Sequence, residues 1–60
     1  MTTIKLWIYT AQMLRIAKKL YSDMKQVSDE VYEIQDTPEG FGLSQDYVSD
    51  MTGNTLTVIK

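Results

Sequence analysis

The chain has neither cysteine nor histidine among its 60 residues. Without cysteine it forms no disulfide, and without both residues it lacks the usual ligands of structural zinc, copper, haem and iron–sulfur sites. The most common general base and the thiolate nucleophile are absent for the same reason. We therefore expect a non-enzymatic protein with no catalytic residue, no metal site and no cofactor. Because disulfides are rare in the cytoplasm, a cytoplasmic location is expected as well.

Long apolar runs are also missing. The longest uninterrupted run spans Leu6 to Tyr9, whereas a helix that crosses a bilayer needs about 20 apolar residues. Residues 1–5 lack the basic region and the following apolar region of a secretory signal. These absences predict a protein that has no membrane partner.

The small size of the chain limits its own stability. We expect a single small domain over 1–60. A domain of this size buries only about 60% of the surface that its unfolded chain exposes. Apolar burial at ~25 cal/mol per Å² then roughly balances an ordering cost of ~1.5 kcal/mol per residue. The expected state is therefore a homodimer, or a chain docked on a larger complex.

Charge is distributed unevenly along the chain, although the net charge is only −2. Residues 1–22 carry four basic residues and no acid, whereas residues 23–50 carry all eight acids and a single lysine. We predict a basic surface made of Arg15, Lys18 and Lys19 and an acidic surface made of Asp29, Glu30, Glu33 and Asp36. Such surfaces favour different partners, or each other. The alternative is that they are solvated faces with ion pairs worth ~0–1 kcal/mol each.

The first element is a strand over residues 3–9, because apolar and other residues alternate there. One face of this strand is apolar, and the other carries Lys5, Trp7 and Tyr9. A domain of this size rarely covers both faces of a strand, and Trp and Tyr dominate binding hot spots. Lys5, Trp7 and Tyr9 are therefore the predicted partner interface. The alternative is that Trp7 packs inside the domain.

From residue 10 the period changes to that of an amphipathic helix, with Thr10 as its N-cap. Leu20 lies at the centre of the apolar arc, whose members are Met13, Leu14, Ile16, Ala17, Leu20, Tyr21, Met24 and Val27. The helix ends at about residue 27 or, since the arc continues, at about residue 36, before Pro38. A break near 27–29 followed by a short strand is slightly favoured, because a lone first strand needs partners.

The rest of the chain contains stronger turn signals. Residues 37–42 include a proline and two glycines and predict a turn. Residues 44–51 suit either a short helix, with Gly53 just past its end, or a strand. A terminal strand is predicted over 55–60. The resulting fold class is α+β, with one dominant helix packed on a sheet of two to four strands.

These features together favour a small protein-interaction module. A compact chain without catalytic groups is typical of regulators and inhibitors, such as those that phages and mobile elements encode. We expect it to occupy a surface of a larger macromolecule, such as a nucleic-acid-handling or defence complex. In a variant of this hypothesis, the carboxylates from Asp29 to Asp50 imitate the phosphates of a nucleic acid.

A second hypothesis is a small dimeric DNA-binding protein. In outline the chain resembles the ribbon-helix-helix repressors, small dimers in which an alternating N-terminal strand reads the major groove. The resemblance implies that Lys5, Trp7 and Tyr9 take the outward positions of that strand. Nucleic acid could also bind the basic surface together with Lys25, while its bases stack on the two aromatic rings. Steep weakening by salt would distinguish this hypothesis from a tryptophan-anchored protein contact.

Overall fold

The computed structural model describes residues 1–59, so Lys60, the last residue of the strand predicted over 55–60, lies outside the described residues. Two helices and four strands follow one another in the order β1 (Thr2–Trp7), α1 (Ala11–Leu20), β2 (Lys25–Gln26), β3 (Val31–Asp36), α2 (Pro38–Thr52) and β4 (Thr57–Val58). The predicted α+β class is confirmed.

The four strands form one sheet in the order β2-β3-β1-β4, and every neighbouring pair is antiparallel. Strand β1 is therefore an inner strand. Its Leu6 lies opposite Tyr32 of β3 on one side and Val58 of β4 on the other. The order of elements along the chain and across the sheet is that of the split βαβ, or ferredoxin-like, arrangement. This arrangement supports many unrelated functions and does not identify one.

The core lies between one face of the sheet and the two helices. Its members are apolar, and they come from β1, β3, the two helices and the loops beside these elements. They are Leu6, Ile8, Met13, Ile16, Ala17, Tyr21, Tyr32, Ile34, Phe41, Val48 and Leu56. Both inner strands point alternate side chains at the helices, as the period-2 pattern of a half-covered strand requires.

Helix α1 begins as predicted but ends earlier. Thr10 is its N-cap, and its Oγ1 accepts a hydrogen bond of 3.0 Å from the Met13 amide. The helix ends at Leu20, so the predicted ends near residue 27 and near residue 36 are both wrong.

The apolar arc predicted a longer helix because residues after Leu20 also contact the core, although they are not helical. Tyr21 is buried and Met24 packs against the core from the loop that follows α1. Leu20, predicted at the centre of the buried arc, is instead 39% exposed, since the helix ends there. The buried side chains of α1 are Met13, Ile16 and Ala17.

Strand β3 settles the two interpretations of residues 28–36 in favour of the strand. The other strands are shorter than predicted: β1 ends at Trp7 rather than at residue 9, and β4 has two residues rather than six. Just before β4, the Leu56 carbonyl accepts a hydrogen bond of 3.0 Å from the side chain of Gln45 in α2.

Helix α2 replaces the turn predicted over residues 37–42. Thr37 is its N-cap, and Oγ1 of Thr37 accepts a hydrogen bond of 3.1 Å from the Gly40 amide. Pro38 takes the first helical position, where no intrahelical donor is needed. Gly53 ends the helix at φ 75°, in the left-handed region that favours glycine. With 15 residues against ten, α2 is longer than α1, so no single helix is clearly dominant.

Gly40 lies inside α2, close to the Asp36 side chain. A Cβ atom at this position would collide with Oδ1 of Asp36 and approach Oγ1 of Thr37 to 3.1 Å. Its helical place therefore reflects a close approach and not a turn.

The two helices lie side by side and antiparallel. Near the start of α1, Gln12 donates a hydrogen bond of 3.5 Å to the carbonyl of Met51, near the end of α2. At the other end, the Tyr21 hydroxyl lies 2.7 Å from Oγ of Ser44, early in α2. The helices form one layer on the core side of the sheet.

Candidate interaction surface

One face of the sheet is left uncovered by the helices, and we call it the open sheet face. Its side chains alternate with the core residues along each strand. They are Thr3, Lys5 and Trp7 of β1, Lys25 of β2, Val31, Glu33 and Gln35 of β3, and Thr57 of β4. All are exposed or half-buried, which distinguishes this face from the buried one.

Trp7 lies on the inner strand of the open sheet face, between Val31 of β3 and Thr57 of β4. It is 42% exposed, although it neighbours the fully buried Leu6 in sequence. Trp7 is therefore not a member of the buried core.

The indole ring of Trp7 is held in place from two sides. Its Nε1 donates a hydrogen bond of 3.2 Å to Oε1 of Glu30. The ring of Tyr9 lies 4.6 Å from it, centroid to centroid, at an angle of 43°. The Tyr9 hydroxyl in turn lies 3.5 Å from Oδ1 of Asn54. Aromatic pairs in this distance range attract one another beyond simple burial, so the exposed ring has a preferred orientation before any partner binds.

Charges of both signs lie beside Trp7. Glu33 of β3 stands opposite Lys5 of β1 and also opposite Lys25 of β2, so Glu33 lies between two lysines in one row across the sheet. Directly opposed side chains lie on the same face. The open sheet face is therefore mixed in charge and has an aromatic centre.

The basic surface predicted from Arg15, Lys18 and Lys19 is found on α1. All three side chains are exposed and lie on the side of the helix away from its buried residues. Since α1 covers the other face of the sheet, these cations and the ring of Trp7 lie on opposite sides of the molecule. The structure does not bring them together.

The acidic surface predicted from Asp29, Glu30, Glu33 and Asp36 divides into separate places. Asp29 and Glu30 are exposed in the loop before β3, and Glu33 lies on the open sheet face. Asp36 points to the helix side, where Oδ2 accepts a hydrogen bond from the Tyr21 hydroxyl and Oδ1 accepts one from the Thr37 amide. It is half-buried.

The contact between Tyr21 and Asp36 was not predicted from the sequence. It joins the end of α1 to the end of β3, and the 2.7 Å contact with Ser44 adds α2 to the same cluster. Burial, the hydrogen bond to Asp36 and the charge of that carboxylate raise the pKa of Tyr21 above its usual 10.0, although Ser44 opposes the shift. The residues are far apart in sequence, so no local signal indicated the cluster.

Sequence reasoning also missed a second apolar surface, which we call the apolar ridge. It consists of Leu43, Tyr47 and Met51, all on α2 and all exposed, with Leu43 73% exposed. The spacing of four residues was a usable signal, since residues four apart share a helix face. The predicted turn over 37–42 and the undecided state of residues 44–51 concealed it.

Within residues 1–59 we find no enclosed pocket and no group of three or more acidic side chains arranged to hold a metal ion. None of the helices in this range combines the length and the apolar character needed to cross a bilayer. No family model, curated protein sequence or solved structure shows significant similarity to the chain.

Proposed function

We propose that this protein is a non-enzymatic interaction module that binds a protein partner through the open sheet face, with Trp7 as the anchor. By covering a surface of a larger complex it regulates or inhibits that complex, as small proteins of phages and mobile elements do. A nucleic-acid-handling or defence complex is the class of target that we propose. The chain has no cysteine, which fits action in the reducing cytoplasm.

The observation that carries the proposal is the exposed and oriented ring of Trp7. A partner that buries this ring removes a large apolar area from water, and little rotamer freedom is lost because Glu30 and Tyr9 already hold the ring. The mixed charges of Lys5, Lys25 and Glu33 form a polar surround of the kind that gives an interface its specificity.

The charge pattern favours a protein partner over a nucleic acid. Glu30 accepts a hydrogen bond from the indole of Trp7, and Glu33 lies between the two lysines of the face. A nucleic-acid strand whose bases stack on Trp7 would bring its phosphates close to these carboxylates. The resulting repulsion opposes the electrostatic attraction that drives nucleic-acid binding. The basic surface on α1 lies on the opposite side of the molecule and offers no compensation.

The ribbon-helix-helix hypothesis gains no support from the strand pairing. The major groove is about 12 Å wide and admits an α-helix or a two-stranded ribbon. Strand β1 has β3 on one edge and β4 on the other. It is therefore an inner strand of a four-stranded sheet. With ~4.8 Å between neighbouring strands, this sheet is wider than the major groove.

Phosphate imitation is the less favoured variant of our proposal, because the acids do not form one row. Asp36 is engaged by Tyr21 on the helix side, and Glu33 is flanked by lysines. Reversal of Asp29, Glu30 and Glu33 to lysine would abolish binding if imitation were the mechanism. We expect it instead to weaken binding only in part, by slowing association as charges at the rim of an interface do and by removing the Glu30 carboxylate that orients Trp7.

Capture from a lysate tests the proposal when it is done with matched variants. We expect the immobilised wild type and Lys18→Ala to retain the same protein, and Trp7→Ala to lose it. For the identified partner, Trp7→Ala should raise Kd about 30-fold, which corresponds to ~2 kcal/mol. Circular dichroism of Trp7→Ala must match the wild type. Loss of binding with Lys18→Ala but not with Trp7→Ala would contradict the proposal.

Fluorescence gives a second measurement on the same residue. Trp7 is the single tryptophan of the chain, so its emission reports on the open sheet face alone. Binding of the partner should shift the emission to shorter wavelength and protect the ring from a soluble quencher. Binding that leaves the emission and the quenching unchanged would place the interface elsewhere.

A further inference from the structure

The helix layer carries a pattern of charge and apolar surface that the proposed function does not use. Helix α1 carries three basic residues and no acid, whereas α2 carries three acids and no base. The acids are Glu39, Asp46 and Asp50. These basic and acidic residues are exposed. Because α1 and α2 form one layer, both sets lie on the same side of the molecule, each on its own helix.

The two helices also carry exposed apolar side chains. On α2 the apolar ridge of Leu43, Tyr47 and Met51 runs along the exposed side of the helix, and Leu20 adds exposed apolar surface at the end of α1. Contiguous exposed apolar surface of this kind marks an interaction site more often than scattered single residues do. The stems of Lys and Arg also cover apolar surface well.

We propose that this layer binds a second copy of the chain, with α1 of each copy lying on α2 of the other. A two-fold axis that runs between the helices and parallel to them gives this arrangement. It brings Arg15 and Lys19 of one copy over Asp46 and Asp50 of its partner, and the same contact occurs twice. The interface is isologous and closed.

The geometry of the layer fits such a dimer. Because α1 and α2 are antiparallel, the facing helices of the two copies are antiparallel as well, as in a four-helix bundle. A stable interface buries about 800 Å² of each partner. That is roughly a fifth of the accessible surface of 3992 Å².

This proposal does not depend on the proposed function, because it uses the opposite side of the molecule. The two open sheet faces point away from each other in the dimer. Both copies of Trp7 therefore stay accessible, and the dimer presents two binding surfaces to a partner.

Sedimentation equilibrium of the purified chain tests the dimer directly. We expect a dimer at micromolar concentration whose dissociation constant rises with added salt, since α1 and α2 attract each other through exposed charges. Leu43→Ser should raise that constant about tenfold or more, because its side chain is exposed in the monomer and buried in the dimer. Trp7→Ala should leave it unchanged. A chain that is still monomeric at 100 times the micromolar concentration overturns the proposal.

Two charge-reversal variants make the test specific to the pairing of α1 with α2. One is Arg15→Glu with Lys19→Glu, and the other is Asp46→Lys with Asp50→Lys. Each alone should be monomeric, because like charges then face each other in both contacts. An equimolar mixture should form a heterodimer, because each reversed helix then meets a helix of opposite sign.

The outcomes separate cleanly. Monomeric variants that restore a dimer on mixing support the proposal, provided that circular dichroism shows each variant folded. Variants that still form homodimers, or a mixture that stays monomeric, overturn it. A wild-type dimer that Trp7→Ala dissociates also overturns it, since the interface would then be the open sheet face.

Discussion

The two faces of the sheet are built from the same strands, yet their side chains differ in burial. On the covered face, Leu6 and Ile34 are almost completely buried beneath the helices. On the open sheet face, Lys5, Trp7 and Gln35 alternate with them and remain exposed. The difference teaches that the helices decide which half of the alternating pattern holds the fold together. The other half remains available for contact with other molecules.

The largest expected effect comes from the covered face. Leu6→Ala removes a side chain that is 0% exposed on the inner strand, and it leaves a cavity between the sheet and the helices. We expect a loss of ~2–5 kcal/mol in the free energy of unfolding. For a domain of this size such a loss unfolds much of the population. Urea denaturation followed by circular dichroism measures it, and a loss below ~1 kcal/mol would contradict the assignment of Leu6 to the core.

The next effect concerns the contact that ties the helices to the covered face. Tyr21→Phe removes the hydroxyl that donates to Asp36 and leaves that half-buried carboxylate without this partner. We expect a loss of ~1–3 kcal/mol at pH 7, again measured by urea denaturation. Thr57→Ala on edge strand β4, whose side chain is exposed on the open sheet face, is the control and should change stability little.

The same contact predicts a dependence on pH. The pKa of Tyr21 is higher in the folded protein than in the unfolded chain, so the unfolded chain loses its proton first as the pH rises. The stability that this residue contributes is fully present below pH 10 and is lost as the pH rises through the folded pKa. The stability difference between wild type and Tyr21→Phe should therefore shrink in alkaline solution. A difference that grows above pH 10 would contradict the shift.

A smaller effect is expected at the end of the helix that covers the sheet. Gly53 ends α2 with φ at 75°, and a Cβ atom there meets nothing within 4 Å. Gly53→Ala therefore tests backbone strain alone, and we expect a loss of ~1–2 kcal/mol. Gly42→Ala is the matched control, because Gly42 also has open space around it but lies within the helix. That variant should gain up to ~1 kcal/mol.

The smallest effect is expected on the open sheet face. Lys5→Ala, one residue from Leu6, should change the free energy of unfolding by less than ~0.5 kcal/mol. If Lys5→Ala and Leu6→Ala destabilise the protein equally, the contrast between the two faces is wrong.

The alternation of β1 was enough to predict which face Trp7 occupies, because a strand has a strict period of two and its apolar set was unambiguous. A break near 27–29 followed by a short strand was slightly favoured because β1 needs a partner, and β3 is that partner. The end of α1 could not be predicted in the same way. Tyr21 and Met24 reach the core from a loop, and a helical wheel cannot distinguish this from a continued helix.

The start of helix α2 could not be predicted from the sequence because of its glycines. Gly40 and Gly42 flank Phe41 and are typical of a turn, yet Gly40 meets a space requirement inside a helix, since a Cβ atom there would displace Oδ1 of the Asp36 side chain. That requirement comes from a neighbour at the end of β3, which becomes visible only in the folded structure. The partner interface of Lys5, Trp7 and Tyr9 and the basic surface stay predictions of function, although the structure shows where each lies.

The position of β1 inside the sheet has a consequence for the order of folding. Leu6, near the start of the chain, pairs with Val58, near the end of the described residues, while β2 and β3 are neighbours in sequence. Contacts between such distant segments require closure of nearly the whole chain, and proteins rich in them fold slowly. We expect the hairpin of β2 and β3 to form early and β4 to dock last. Until β4 docks, one edge of β1 is exposed, and a newly made chain is then most open to association with its neighbours.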